Sequence, residues 1–120
     1  MKLFGLIETS LRPARDGSFG QSWSPPADVY QAPWGWLVKF DLAGVRLEDV
    51  HLSVEGRRMM LSGMRKDTVS EQGCCHYRLE IAYNRFERTL EFPCRLDGAR
   101  IGTELRDGML LVRVQLEESR

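Results

Sequence analysis

From Asp28 onward, apolar and polar side chains alternate along most of the chain, which is the period of a half-buried β-strand. Trp36, Val38, Phe40 and Leu42 fall on one face, opposite Leu37, Lys39 and Asp41. Val50, Leu52 and Val54 alternate with His51, Ser53 and Glu55, and Met59 and Leu61 with Met60 and Ser62. Phe86, Arg88, Leu90 and Phe92 share a face against Glu87, Thr89 and Glu91. Leu110, Val112, Val114 and Leu116 do the same against Leu111, Arg113 and Gln115. Glu55-Gly56-Arg57 and Asp107-Gly108 read as hairpin turns, because Gly takes positive φ without steric cost and Asp tolerates it. Ala43 to Asp49 and Pro93 to Arg100 read as longer loops, and the polar, aperiodic stretch from Lys66 to Gly73 as a long loop projecting from the body. Short strands at regular spacing, without a long helical pattern, predict an all-β antiparallel sandwich of about 7–9 strands. Each inward Trp, Val, Phe, Leu or Met stabilises it by ~1.5–3 kcal/mol when fully buried, offset mostly by chain entropy.

The N-terminal region differs. Leu3, Phe4, Ile7 and Leu11 form a short helical stripe that Pro13 stops, and Gly, Ser, Pro and Gln then cluster up to Pro26 around Phe19 and Trp23. A helix of about ten residues is marginal alone in water. Residues 1–26 are therefore read as a mobile apolar arm, 27–116 as the sandwich and 117–120 as a short tail.

Charge removes several function classes. The chain has 120 residues, with 17 basic and 17 acidic side chains that cancel. This balance argues against nucleic acid and against a polybasic membrane anchor, both of which need a basic field. No apolar run approaches the roughly 20 residues of a membrane-spanning helix, and Glu8 cuts the first apolar patch too short for a signal-peptide core. Three cysteines, Cys74, Cys75 and Cys94, are an odd number, which fits a reducing compartment better than a disulfide scaffold. The expected location is the cytoplasm. Adjacent Cys74 and Cys75 lack the C-x₂-C spacing of zinc sites, and His76 adds a ligand type without a second pair. Gly98 and Gly102 flank no phosphate-binding G-K-[ST] pattern. No cofactor, metal or catalytic residue is expected, and the chain is not read as an enzyme. Thiols in an exposed loop can still form intermolecular disulfides under oxidation.

Several segments together resemble the small heat-shock proteins, whose shared module is the immunoglobulin-like α-crystallin domain. Pro25-Pro26-Ala27-Asp28-Val29-Tyr30 is similar to that domain's opening, and Val38 to Val45 to its third strand and following loop. Tyr77-Arg78-Leu79-Glu80 and Phe86 to Pro93 resemble its central strands. Thr103-Glu104-Leu105-Arg106-Asp107-Gly108-Met109-Leu110 resembles the A-x-x-x-n-G-x-L signature, with Thr103 in place of Ala. Ala43 replaces the usual Pro after the third strand, which loosens that turn. The resemblance covers roughly residues 25 to 116. The I-x-I/V tripeptide of the family's tail is not found in Glu117-Glu118-Ser119-Arg120, so a homodimer or small homo-oligomer is expected rather than a large cage.

The resemblance implies roles for particular residues. The loop between Gly63 and Phe86 is as long as in bacterial and plant members, where it carries a strand that swaps into the partner, so Tyr77, Arg78 and Glu80 are assigned to the dimer interface. Arg88 shares a face with apolar side chains and needs a carboxylate or carbonyl partner, since an unpaired buried charge is very costly. It matches the family's arginine at the dimer interface, which is the reading taken here; the alternative is an intramolecular ion pair or a bulge that turns the side chain to water. Leu52 and Val54, with Thr103 and Leu105, match the strands that form an apolar groove in the family, or else are ordinary core. Leu3, Phe4, Leu6, Ile7, Leu11, Phe19 and Trp23 are apolar residues outside the sandwich, and such surface usually marks an interaction site. They capture unfolded chains, or they cap the protein's own sandwich or bury in an oligomer contact, and the two roles can alternate. Asp107, Gly108, Met109 and Leu110 form the signature turn. The expected function is an ATP-independent holdase that binds partly unfolded proteins. The alternative on the same sandwich is a CS-domain-like adaptor or co-chaperone, usually monomeric and bound to one defined partner.

Overall fold

A computed structural model of the chain describes residues 23–69 and 71–116. The described residues form an all-β sandwich with seven strands: β1 (Ala27–Ala32), β2 (Gly35–Asp41), β3 (Val50–Glu55), β4 (Arg58–Arg65), β5 (Asn84–Glu91), β6 (Arg100–Arg106) and β7 (Met109–Gln115). A single 3-10 turn, Leu47–Asp49, precedes β3. One sheet has the order β1-β2-β7-β6 and the other β3-β4-β5, and every pairing is antiparallel.

The inward sets follow the alternation. Val38 and Phe40 from β2 and Leu110, Val112 and Val114 from β7 meet Met59 and Leu61 from β4 and Phe86 from β5, all essentially without exposure. Leu42, Val45, Phe92 and Leu96 close the core from the connecting segments. Val50, Leu52 and Val54 on β3 are half-buried, with His51, Ser53 and Glu55 outward. The Asp107-Gly108 turn has positive φ at both residues, 53° and 79°, the geometry whose twist matches antiparallel strands. Its Gly108 carbonyl accepts from Leu42 N–H at 2.9 Å, which ties the turn to the loop after β2.

Gly63 has a packing role. It pairs with Phe86 across β4 and β5, and a Cβ there would sit on the Asp49 carbonyl oxygen and 2.5 Å from Phe86 Cζ. The missing side chain is the space the Phe86 ring occupies.

Two edges lie on each side of the sandwich. The segment Trp23–Pro26 runs from the free edge of β5, where Trp23 bridges Phe86, into β1, the edge of the other sheet. Since β1 and β5 share one side, the strand orders put β3 and β6 together on the opposite side. The exposed stretch between β4 and β5 leaves the body altogether: the Cα radius of gyration is 17.8 Å over a longest dimension of 62 Å, against about 13 Å for a compact domain of about 100 residues.

Candidate client and subunit interfaces

The groove residues sit on the paired edges. Leu52 and Val54 on β3 and Leu105 on β6 are half-buried against the core, and Thr103 is exposed. On β6, Ile101, Thr103 and Leu105 are opposite the buried Val114, Val112 and Leu110 of β7, so their side chains share the inward parity. Being on an edge strand they are incompletely covered, and Ile101 remains 39% exposed. An apolar row on two strands whose backbone edges are unpaired among the described residues is a surface an extended segment can join.

The strand face behind β6 is electrostatically satisfied. Glu104 accepts from Arg106 Nε and Nη2 at 3.0 and 2.7 Å and from Arg113 Nη1 at 3.3 Å. The Arg106 hydrogen bond is the main cause holding the Glu104 carboxyl below its ordinary pKa, with the charges of Arg106 and Arg113 adding to it against a desolvation cost. The same bond raises Arg106.

Arg88 is half-buried on β5 opposite Leu61, and its Nη1 donates to the Pro25 carbonyl at 2.8 Å. The partner that its apolar face demands is thus a backbone carbonyl of the same subunit, rather than an acidic side chain or a bulge. Guanidinium has five N–H donors in a fixed fork, and this bond uses one of them.

Tyr77, Arg78 and Glu80 lie on the projecting loop. Tyr77 is 97% exposed, and Leu79 and Ile81 are 62% and 61% exposed. Arg78 Nη1 and a Glu80 carboxylate oxygen are 3.5 Å apart with both side chains in water. Among the described residues, no hydrogen bond or ion pair joins this loop segment to Arg88. The loop curls around a cleft of about 380 Å³ lined in part by Val69, Cys75, Leu79 and Ile81. Cys74 and Cys75 are exposed free thiols and Cys94 is half-buried; among the described residues no group of acidic, Cys or His side chains is placed to hold a metal ion. No helix among the described residues is long and apolar enough to cross a membrane.

Of the arm residues, Leu3, Phe4, Leu6, Ile7, Leu11 and Phe19 lie outside the described residues. Trp23 does not belong with a free arm: it is docked on its own subunit. Its N–H donates to Arg85 O at 3.1 Å, and its carbonyl accepts from Glu87 N–H at 3.0 Å. Its ring lies 5.3 Å from that of Phe86, and Arg65 Cζ stands 4.2 Å above it, close enough for cation–π attraction. The sequence reading missed Arg65. It is the last residue of the inward parity Met59, Leu61, Gly63, Arg65 on β4, so the reasoning that singled out Arg88 finds it too. Arg65 also donates from Nε to Ala82 O at 2.9 Å and from Nη1 to Ala43 O at 3.0 Å. It therefore clasps the return of the projecting loop, the loop after β2 and the Trp23 segment at one point.

This architecture recurs in known proteins. Heat shock protein 16.0 from Schizosaccharomyces pombe superposes with a TM-score of 0.70 at 27% identity, over 82% of this chain and 93% of that one. The 17.3 kDa class II heat shock protein of Solanum peruvianum is 31% identical over 91 residues, 75% of this chain and 59% of that protein. Spore protein SP21 of Stigmatella aurantiaca is 28% identical over 97 residues, 77% of this chain and 57% of that protein. The chain thus spans less than two thirds of these curated relatives. The profile of the Hsp20/alpha crystallin family matches residues 28–120, which takes in the sandwich from Asp28 onward, and the chain belongs to that family.

Proposed function

We propose that the protein is an ATP-independent holdase: it binds partly unfolded proteins through open apolar surface and keeps them from aggregating. Membership of the family supports a chaperone role. The observation that carries the reading is the pair of edge strands β3 and β6, unpaired among the described residues, with half-buried Leu52, Val54 and Leu105 on one side of the sandwich. A client that exposes an extended apolar segment gains backbone bonds at such an edge and buries its side chains in the row. Removing that species from solution slows aggregation by mass action. Residues 1–22, with Leu3, Phe4, Leu6, Ile7, Leu11 and Phe19, supply further apolar surface in this reading. The subunits pair through the projecting loop, with Tyr77, Arg78, Glu80 and Arg88 at the contact. Free thiols at Cys74, Cys75 and Cys94 suit the cytoplasm. No group is asked to do chemistry.

The test is light scattering of a client heated with an equal mass of the protein and no nucleotide. Scattering falls if the reading is right; unchanged scattering rejects it. The bond from Arg88 to the subunit's own Pro25 carbonyl favours a second reading, a monomeric CS-domain-like adaptor. Molar mass by light-scattering chromatography separates the two: a dimer supports the holdase assignment, and a strict monomer supports the adaptor.

A further inference from the structure

The free edge of β5 carries a built receptor for an aromatic side chain. Arg85 and Glu87 direct their backbone groups away from β4 and toward Trp23, which pairs with the strand in parallel. The indole contacts both the Phe86 ring and the Arg65 guanidinium, and its Nε1 donates to Asn84 O at 3.4 Å. Backbone pairing, an aromatic contact, a cation over the ring and an acceptor for the indole N–H converge on one residue.

The chain's own segment fills this receptor incompletely. In a parallel pairing the next rung belongs to the residue two beyond Trp23. That residue is Pro25, which has no N–H to give to the Glu87 carbonyl. Its carbonyl is turned to the Arg88 side chain instead. Among the described residues the bridge is thus a single pair that does not continue past Trp23, and an extended strand without proline at that position gains bonds that Trp23-Ser24-Pro25 does not make.

We propose that this slot is a second client site, and that Trp23 is its built-in competitor. Its ligand is an extended segment of an unfolded protein with an aromatic residue followed, two positions on, by a residue other than proline. The proposal rests on the holdase reading for its biological meaning, but the binding event itself does not require it. Because Trp23 is tethered, it competes at high effective concentration, and a foreign segment binds only to the fraction of molecules in which it has lifted. The single bridge and the missing rung keep that fraction accessible.

The probe is a fluorescein-labelled peptide of residues 20–26 carrying Pro25→Ala, titrated by anisotropy into the full chain and into its Trp23→Ala variant. Emptying the slot is expected to tighten binding at least about tenfold. The peptide with Trp23→Ala should not bind, and one retaining Pro25 should bind more weakly. Trp23→Leu keeps an apolar side chain over Phe86, guards against a variant that fails to fold, and should give intermediate affinity. Hydrogen exchange supplies a readout that a structural role alone would not move: the Glu87 amide loses protection in Trp23→Ala and regains it with peptide. Equal affinity for wild type and variants, binding of the peptide that lacks Trp, or a Glu87 amide left unprotected by peptide overturns the proposal. No aggregating client is present, so a failed scattering assay with this pattern intact rejects the holdase reading alone, and the reverse rejects the slot alone.

Discussion

The sandwich and the loop that leaves it are built from the same residue types with opposite outcomes. In the sandwich, Val38, Phe40, Leu61, Phe86 and Val112 alternate with polar residues and are removed from water. In the loop, Tyr77, Leu79 and Ile81 also alternate with polar residues, Arg78 and Glu80 between them, yet remain 97%, 62% and 61% exposed. Strand alternation is therefore present in both, but only one has a second layer to close on. A two-faced segment with no layer of its own is a strand waiting for another sheet, and this physical argument underlies the proposed pairing of subunits through the loop.

The largest break in the comparison comes from Phe86. Its ring fills the space above Gly63 and supports Trp23. Phe86→Ala should lose about 3–5 kcal/mol of unfolding free energy in urea, the usual range for emptying an aromatic core site. Leu79→Ala, examined at concentrations where the protein is monomeric, should change it by no more than about 0.5 kcal/mol. Comparable losses at both sites would show that the loop is part of the same core.

Gly63→Ala attacks the same contact from the other side. The added methyl meets the Asp49 carbonyl and Phe86 Cζ, and overpacking of this kind costs about 1–3 kcal/mol. The double variant Gly63→Ala, Phe86→Leu should recover part of that loss, because the shorter, smaller side chain vacates the position of Cζ. Additive losses in thermal unfolding would place the strain at Asp49 alone.

The sandwich was legible because its signal is local and repeated. Alternation named the inward residues of β2, β3, β4, β5 and β7, and the Asp107-Gly108 and Gly56-Arg57 turns follow from which residues tolerate positive φ. The contacts made by residues distant in sequence were not legible. Trp23 reads as arm because a Gly/Ser/Pro-rich segment surrounds it, and its partners Phe86 and Arg65 lie far along the chain. Arg65 was overlooked although its parity is inward, because Gly63 breaks the apolar run just before it. Arg88 was recognised as needing a partner, but no periodicity identifies the carbonyl of Pro25. The proposed pairing of Tyr77, Arg78 and Glu80 with another subunit is likewise a matter between chains, which spacing within one chain does not encode.

The loop half of the comparison is sharpened by Leu79→Asp with Ile81→Asp. Two carboxylates on an already exposed segment leave the subunit's unfolding free energy within about 0.5 kcal/mol of wild type. At a subunit contact they are desolvated without partners, which is costly, and molar mass in solution should fall from dimer to monomer. An unchanged dimer would move the contact away from this loop. Thiol labelling gives a parallel check: Cys74 and Cys75 should react with a maleimide before half-buried Cys94, and dimer formation should slow them if the loop is the contact.

The smallest effect compares two ion pairs of the same composition and spacing. Glu104 and Arg106 on β6 are held at 2.7 Å, whereas Arg78 and Glu80 in the loop are 3.5 Å apart. An extended, twisted strand fixes both backbones of the first pair, and Arg113 from β7 adds a second donor; among the described residues nothing comparable fixes the loop pair. Held this way, the Glu104 carboxyl titrates below its ordinary value of 4.5, chiefly because of the Arg106 hydrogen bond. A carboxyl whose pKa is lower folded than unfolded stabilises the protein above the unfolded value, and that contribution fades as pH falls through the folded value. The Glu104→Gln variant should therefore be slightly less stable than wild type at neutral pH, with the gap closing in acid. The Glu104 carboxyl carbon should titrate by NMR below 4.5 and move upward in Arg106→Gln, whereas Glu80→Gln should leave monomer stability unaltered. A Glu104 midpoint unmoved by loss of Arg106 would mean that strand geometry does no more for this pair than the open loop does for its counterpart.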